Sequence, residues 1–212
     1  MEVLVAGGHG QVALRLLRLL AREGHRGRGI IRDPAHAADL EAAGAEPVLC
    51  DLERDDPRPH VGAADAIVFA AGAGPGSGPE RKRTVDLGAA VKLIEAAGEL
   101  GVGRYLMVSA MGAVDPASGP EEMRPYLQAK HDADEALMAS GLDWTIVRPG
   151  GLTDAPGAGT VEAARSLGRH GQITRDDTAL VLYESLRQPA TIGVAFDVLE
   201  GPTPVAEALR SL

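Results

Sequence analysis

The chain has 212 residues, 45 % of them hydrophobic and 24 % charged, which suits one α/β domain around a shared core and excludes a disordered segment. Its net charge is −9, and it holds only one Trp, three Tyr and two Phe. That leaves neither the basic surface nor the stacking side chains that a nucleic-acid partner requires. A single cysteine, Cys50, excludes an internal disulfide, and no apolar run reaches the roughly 18 residues of a membrane span.

The six histidines, at 9, 25, 36, 60, 131 and 170, form no HxxxH or HExxH pair, so no metal site is expected. The opening MEVLVAGG has no basic leader and reads directly as a strand. With the lone cysteine, it gives the expectation of a cytoplasmic protein.

Taken in order, Glu2 to Ala6 is an apolar run ending at Gly7-Gly8. Val12, Leu16, Leu19 and Leu20 then recur at helical spacing, with Gly24 as a carboxyl-terminal cap. Gly29 to Ile31 is a strand, and Pro34 opens a helix through Ala43. Pro47 to Cys50 and Ala66 to Ala70 are further strands, the second followed by a Gly/Pro/Ser-rich loop over Gly72 to Pro79. One helix is expected over Arg83 to Leu100, a strand over Tyr105 to Val108, a helix over Pro125 to Ser140 and a strand over Trp144 to Val147. Residues 150–159 read as a glycine-rich loop, and 160–172 as either strand or helix. Thr174 caps a helix to Arg187 with Asp176 and Asp177 in its first turn. Val194 to Leu199 is a last strand and Val205 to Leu212 a tail helix. Apolar strands alternating with amphipathic helices define a single-domain Rossmann fold: a doubly wound parallel β-sheet with helices on both faces. The domain spans 1–212, with 150–212 forming a small substrate-side region.

Gly7-Gly8-His9-Gly10-Gln11-Val12-Ala13 joins the first strand to the first helix. Gly7 suits the tight turn, Gly10 lets backbone approach a pyrophosphate, and small Ala13 lets helix pack closely on sheet. The helix amino terminus then offers N–H groups and a positive dipole end to phosphates. A turn with glycine for geometry alone is the plainer reading, but the flanking strand and amphipathic helix favour a dinucleotide. At the end of the second strand stands Arg32, followed by Asp33. Arginine at that place grips a 2′-phosphate, which favours NADP(H), with Arg28 as a second candidate; NAD(H) is the alternative if Arg32 is solvated and Asp33 serves the ribose. Asp51-Leu52 and Ala70-Ala71-Gly72 end the third and fourth strands, where open α/β sheets bind ligands. Cys50 reads as a core residue rather than a nucleophile.

Tyr126 and Lys130 lie four residues apart on one helix face, just after Pro125. A neighbouring ammonium stabilises a phenolate and brings a tyrosine toward working pH. Ser109, at the end of RYLMVS, is a candidate to bind the substrate oxygen. Four other features read as structural: Trp144 as core, Arg148 as cofactor contact or ion pair, Glu80 to Arg83 as a solvated helix start, and His131 as exposed.

In this order, GGHGQVA, AAG, Ser109 and Tyr126-x-x-x-Lys130 resemble the short-chain dehydrogenase/reductase family over about three quarters of the chain. SGLDWTIVRPGGLTD resembles its atypical, single-domain branch, NmrA-like or epimerase-like. The resemblance implies that Pro149, Gly150, Gly151 and Leu152 border the nicotinamide. It also implies that Tyr126 exchanges the proton, Lys130 binds the nicotinamide ribose and Ser109 orients the reacting oxygen of a small carbonyl or alcohol. A homodimer through the Tyr126 helix is a further implication. Two other functions remain open: a non-catalytic NADP(H)-binding regulator, and a flavin or quinone reductase that does not use Tyr126.

Overall fold

The computed structural model describes residues 1–74 and 76–212, with Pro79 described by its backbone. The chain runs β1 (Glu2–Ala6), α1 (Gln11–Arg22), β2 (Arg26–Ile31), α2 (Ala37–Ala42), β3 (Glu46–Leu49), α3 (Arg58–Val61) and β4 (Ala66–Phe69). It continues through α4 (Pro79–Arg81), a π-helical segment over Lys82–Gly88, α5 (Ala89–Leu100), β5 (Arg104–Val108), α6 (Arg124–Met138) and β6 (Asp143–Pro149). The rest comprises β7 (Gly151–Thr153), β8 (Thr160–Ala164), β9 (Gln172–Thr174), α7 (Arg175–Arg187), β10 (Val194–Glu200), β11 (Thr203–Pro204) and α8 (Val205–Arg210).

The main sheet has the order β11-β8-β10-β6-β5-β4-β1-β2-β3. In that order the seven strands from β10 to β3 are mutually parallel, as βαβ crossovers demand. Only β8 and β11, at one edge, join through antiparallel pairings. The expected Rossmann architecture is therefore present. β8 settles the ambiguous 160–172 stretch as a strand over its first five residues, and β7, inside the stretch expected as loop, pairs in parallel with β9 just before α7.

Both faces of the sheet are covered, which explains the continuous apolar strands. In β1, Val3 and Val5 join the core under α1, α7 and α8, while Leu4 and Ala6 join the core under α5 and α6. The strand order reverses at β1, between β4 and β2, so the carboxyl ends of these strands open a crevice there. Thr174 caps α7 as expected, its hydroxyl accepting the Asp177 N–H at 2.9 Å. Trp144 is half-buried and packs against the second core.

One expected element is corrected. Residues 79–100 do not form one α-helix from Arg83; they comprise α4, a seven-residue π-helical segment and α5. The wider turn carries Asp86 inward to full burial beside Lys130. π-Helical turns of this kind recur at functional sites.

Among the described residues, no helix is long and apolar enough to cross a membrane, and no group of three or more His, Cys, Asp or Glu could hold a metal ion.

Candidate functional site

At the switch point lies a cleft of about 370 Å³ lined by Gly7, His9, Gly10, Ile30, Arg32, His36, Cys50, Asp51, Leu52, Glu53, Ala70, Ala71, Gly72, Ala73, Arg81, Val85 and Ala89. Most of the residues expected at a cofactor line this one cavity. A larger, more open groove of about 590 Å³ between α1 and α7 contains Arg15, Arg18 and Arg22. It lies outside the crevice, and Arg15 there is already paired with Asp176 at 2.6 Å.

The glycine loop is shaped by close approach. Gly7 has φ +75°, and a Cβ there would fall 2.7 Å from the Ala71 Cα. At Gly8 a Cβ would fall 2.8 Å from the Gly29 Cα. The Gly8 and Gly10 N–H groups donate to Ile30 O at 2.8 Å and Gly7 O at 2.7 Å, which locks the turn. Gly10 is the N-cap of α1 and supplies no capping side chain. Helix geometry therefore leaves the N–H groups of Gln11, Val12 and Ala13 directed out of the first turn, a cradle for a pyrophosphate. The chain fits a dinucleotide in this respect. The Gln11 side chain is not part of the cradle, since its amide oxygen accepts from Arg15 at 2.9 Å.

Near the end of β2, Asp33 caps the following turn by accepting the Ala35 N–H at 2.9 Å. Arg32 is half-exposed with Glu53 at 3.6 Å, and Arg81 reaches the same carboxylate oxygen at 3.7 Å. The rings of His9 and His36 stack with centroids 3.7 Å apart, and His9 Nε2 contacts Asp39 at 2.8 Å. Arg28 is excluded as a phosphate partner: it lies in the first half of β2 and donates to Glu2 at 3.2 Å and His60 O at 2.9 Å. Cys50 is buried in the cleft wall, where burial pushes its thiol up to about 11, as a structural residue requires.

α6 delivers Tyr126 and Lys130 together, with Lys130 beside Ala71 of the cleft wall. Lys130 Nζ lies 5.9 Å from the Tyr126 ring centroid. The ammonium is buried, donates to Val108 O at 3.1 Å and Ala71 O at 3.3 Å, and pairs with Asp86 Oδ1 at 3.2 Å. Two of its three N–H donors are thus spent on backbone carbonyls, while Asp86 Oδ1 faces the ammonium as an ion-pair partner without a hydrogen bond, so one donor stays uncommitted. Asp86 holds its place by accepting the Ala73 N–H at 3.2 Å.

Burial raises the proton affinity of Tyr126; Lys130 opposes this, and the carboxylates of Asp86 and Asp134 reinforce it. Lys130 therefore acts in the expected direction but is outweighed by burial. The phenol is held protonated chiefly by its burial, with Asp86 and Asp134 adding to that against Lys130.

Ser109 is also turned inward. Its hydroxyl donates to buried Asp134 at 3.0 Å, and Arg148 donates to the same oxygen through Nε at 3.1 Å and Nη2 at 3.0 Å. Arg148 is accordingly a structural ion pair. Desolvation raises Asp134 even so, against Arg148 and Ser109.

Pro149 ends β6, and Gly150 is pressed against Leu199 and Gly171; Gly151 and Leu152 belong to β7. These four lie at and just after the end of β6 and do not line the cleft. His131, expected to be exposed, is half-buried with Nδ1 2.9 Å from Ala113 O. The Glu80–Arg83 run is likewise not merely solvated: besides Arg81 on Glu53, Lys82 Nζ lies 5.2 Å from the Tyr126 centroid. Asp86 and Lys82 escape sequence reasoning because a regular helix at this position would turn them differently; VDLG carries no signal for a π turn.

A parallel sheet with a glycine turn and an uncapped helix amino terminus at its switch point defines a dinucleotide-binding protein. The family model described as NAD(P)H-binding matches residues 7–189, and the chain belongs to that family. It is 46 % identical to the Bacillus subtilis protein named "Uncharacterized sugar epimerase YhfK", with both chains covered in full. It is also 32 % identical to the UPF0659 protein YMR090W of Saccharomyces cerevisiae, covering 100 % of this chain and 99 % of that one. Among solved structures, a Bacillus halodurans protein named "Putative NAD-dependent epimerase/dehydratase" superposes with TM-score 0.96 at 41 % identity over the full length of both. The oxidoreductase ylbE from Lactococcus lactis follows at TM-score 0.87 and 27 % identity, covering 100 % of this chain and 96 % of that one. These likenesses agree with the atypical short-chain dehydrogenase/reductase resemblance.

Proposed function

We propose that this protein is an NADP(H)-dependent reductase of small carbonyl compounds in which Tyr126 is the general acid. The observation that carries the reading is the half-buried Tyr126 beside Lys130, whose ammonium reaches the carbonyl of Ala71 in the wall of the cleft. NADPH, when bound, supplies a hydride to the carbonyl carbon. As the carbon–oxygen π bond gives way, Tyr126 donates its phenolic proton to the oxygen and regains one from solvent. Lys130, held by Asp86, keeps the phenolate's transient charge near a cation. Ser109 acts as a positioning residue through Asp134, since its proton is already committed.

The 2′-phosphate preference rests on Arg32 and on Asp33. A carboxylate occupied with the Ala35 N–H does not serve the ribose, while Arg32 stays half-exposed at the cleft. The oxidoreductase name of the Lactococcus lactis relative supports the reaction class.

A second reading, reduction of a flavin or quinone without Tyr126, draws support from the inward-turned Ser109, whose proton is committed to Asp134. Tyr126→Phe separates the two. With NADPH and a panel of small aldehydes and ketones, turnover should fall about 100-fold or more in this variant, with NADPH affinity unchanged. Full activity would transfer the assignment to the second reading.

A further inference from the structure

The region around Tyr126 holds two ammonium groups in different states. Lys130 is buried, its charge balanced by Asp86 at 3.2 Å and two of its donors spent on Val108 O and Ala71 O. Lys82 reaches the same ring from the π-helical segment, its Nζ 5.2 Å from the centroid. It is only half-buried, and no carboxylate of the described residues lies within 4.0 Å of it. The neighbouring Arg81 and Thr84 are committed to Glu53, at 3.7 Å and 2.6 Å. The uncompensated positive charge facing Tyr126 therefore belongs to Lys82, in a chain whose net charge is −9.

A lysine on an ordinary helix surface would extend into water. Here the first turn of the π-helical segment directs it along the ring of the residue assigned the proton, while Asp86, four residues on, turns to Lys130. A partly desolvated ammonium with free donors is an anion-binding group, and a charge-assisted hydrogen bond to a carboxylate is its strongest available partner.

We propose that Lys82 binds a carboxylate carried by the substrate, so that the carbonyl compounds reduced here are oxo acids or other carbonyls bearing a carboxylate near the reacting group. This rests on the reductase reading for the identity of the reaction, and on the Lys82–Tyr126 geometry for the anion. The same ammonium chemistry would serve a phosphate of the dinucleotide, and the test distinguishes the two sources.

The probe is benzoate, with benzamide as its uncharged counterpart, titrated by ligand-observed NMR into the protein both free and saturated with NADP⁺. Benzoate should bind better than benzamide. Lys82→Gln should weaken benzoate by about fivefold or more, leave benzamide and NADPH affinities unchanged, and be largely rescued by Lys82→Arg. Equal binding of the two probes, or a Lys82→Gln variant that keeps benzoate affinity, would overturn the proposal. A loss confined to NADPH would also overturn it and assign Lys82 to the cofactor. Failure of the wild-type protein to bind nucleotide would remove the reductase reading. The Lys82 dependence of benzoate binding to the free protein would still decide the anion site.

Discussion

Substituting Gly7 by alanine isolates the packing that shapes the cofactor crevice. Two penalties coincide at this residue. Its φ of +75° is left-handed, and its Cβ would fall 2.7 Å from the Ala71 Cα and 2.9 Å from the Ala71 nitrogen, backbone atoms that cannot swing aside. Placing alanine in the left-handed region costs about 1–2 kcal/mol, and forcing an extra methyl into a packed site costs about 1–3 kcal/mol more. Gly24 supplies the control: its φ is +76° and a methyl there would meet nothing within 4 Å, so only the first cost applies. Urea unfolding of Gly7→Ala and Gly24→Ala, read as the difference in midpoint free energy, should show Gly7→Ala less stable than Gly24→Ala by about 1–3 kcal/mol. Only Gly7→Ala should also weaken NADPH, because Ala71 lines the cleft and the Gly7 carbonyl holds the Gly10 N–H. Equal destabilisation by the two variants would refute the steric argument. Unaltered NADPH affinity in Gly7→Ala would detach this turn from the site.

Two other predictions concern titration. Asp86 raises the proton affinity of Tyr126, so Asp86→Asn should move the alkaline loss of reductive turnover to lower pH. It should also reduce Tm by roughly 6 °C or more, since breaking a buried pair is costly; an unmoved pH profile would show that Asp86 acts only on stability. The Cys50 thiol, pushed up to about 11, should resist iodoacetamide at pH 8 in the native protein and react readily once unfolded in urea. Fast native alkylation would contradict its burial in the cleft wall.

Much of the fold is legible in the residues. Val3 to Ala6 reads as a strand buried on both faces because it is one, and Gly7 to Ala13 announces the turn beneath the crevice. The cleft wall from Arg32 through Asp51 to Gly72 follows from placing strand ends at a switch point. What stayed hidden depends on contacts between distant segments. Spacing brings Tyr126 and Lys130 to one helix face but says nothing of Asp86, 44 residues upstream of Lys130. The tyrosine's upward shift follows chiefly from its burial, to which Asp86 adds. Ser109 stands at the expected strand end, yet the direction of its proton is set by Asp134, which carries no motif. Arg28 and Arg32 are chemically alike, and only the run of β2 shows that Arg28 lies toward the end far from the crevice.

The most direct test of the cofactor assignment is calorimetric titration of the wild-type protein and Arg32→Ala with NADPH and NADH. The wild-type protein should bind NADPH more tightly than NADH, and Arg32→Ala should weaken NADPH about tenfold, worth about 1.4 kcal/mol, while leaving NADH nearly unchanged. Equal effects on both nucleotides would remove the 2′-phosphate assignment, and absence of binding by either would contradict the cofactor site itself.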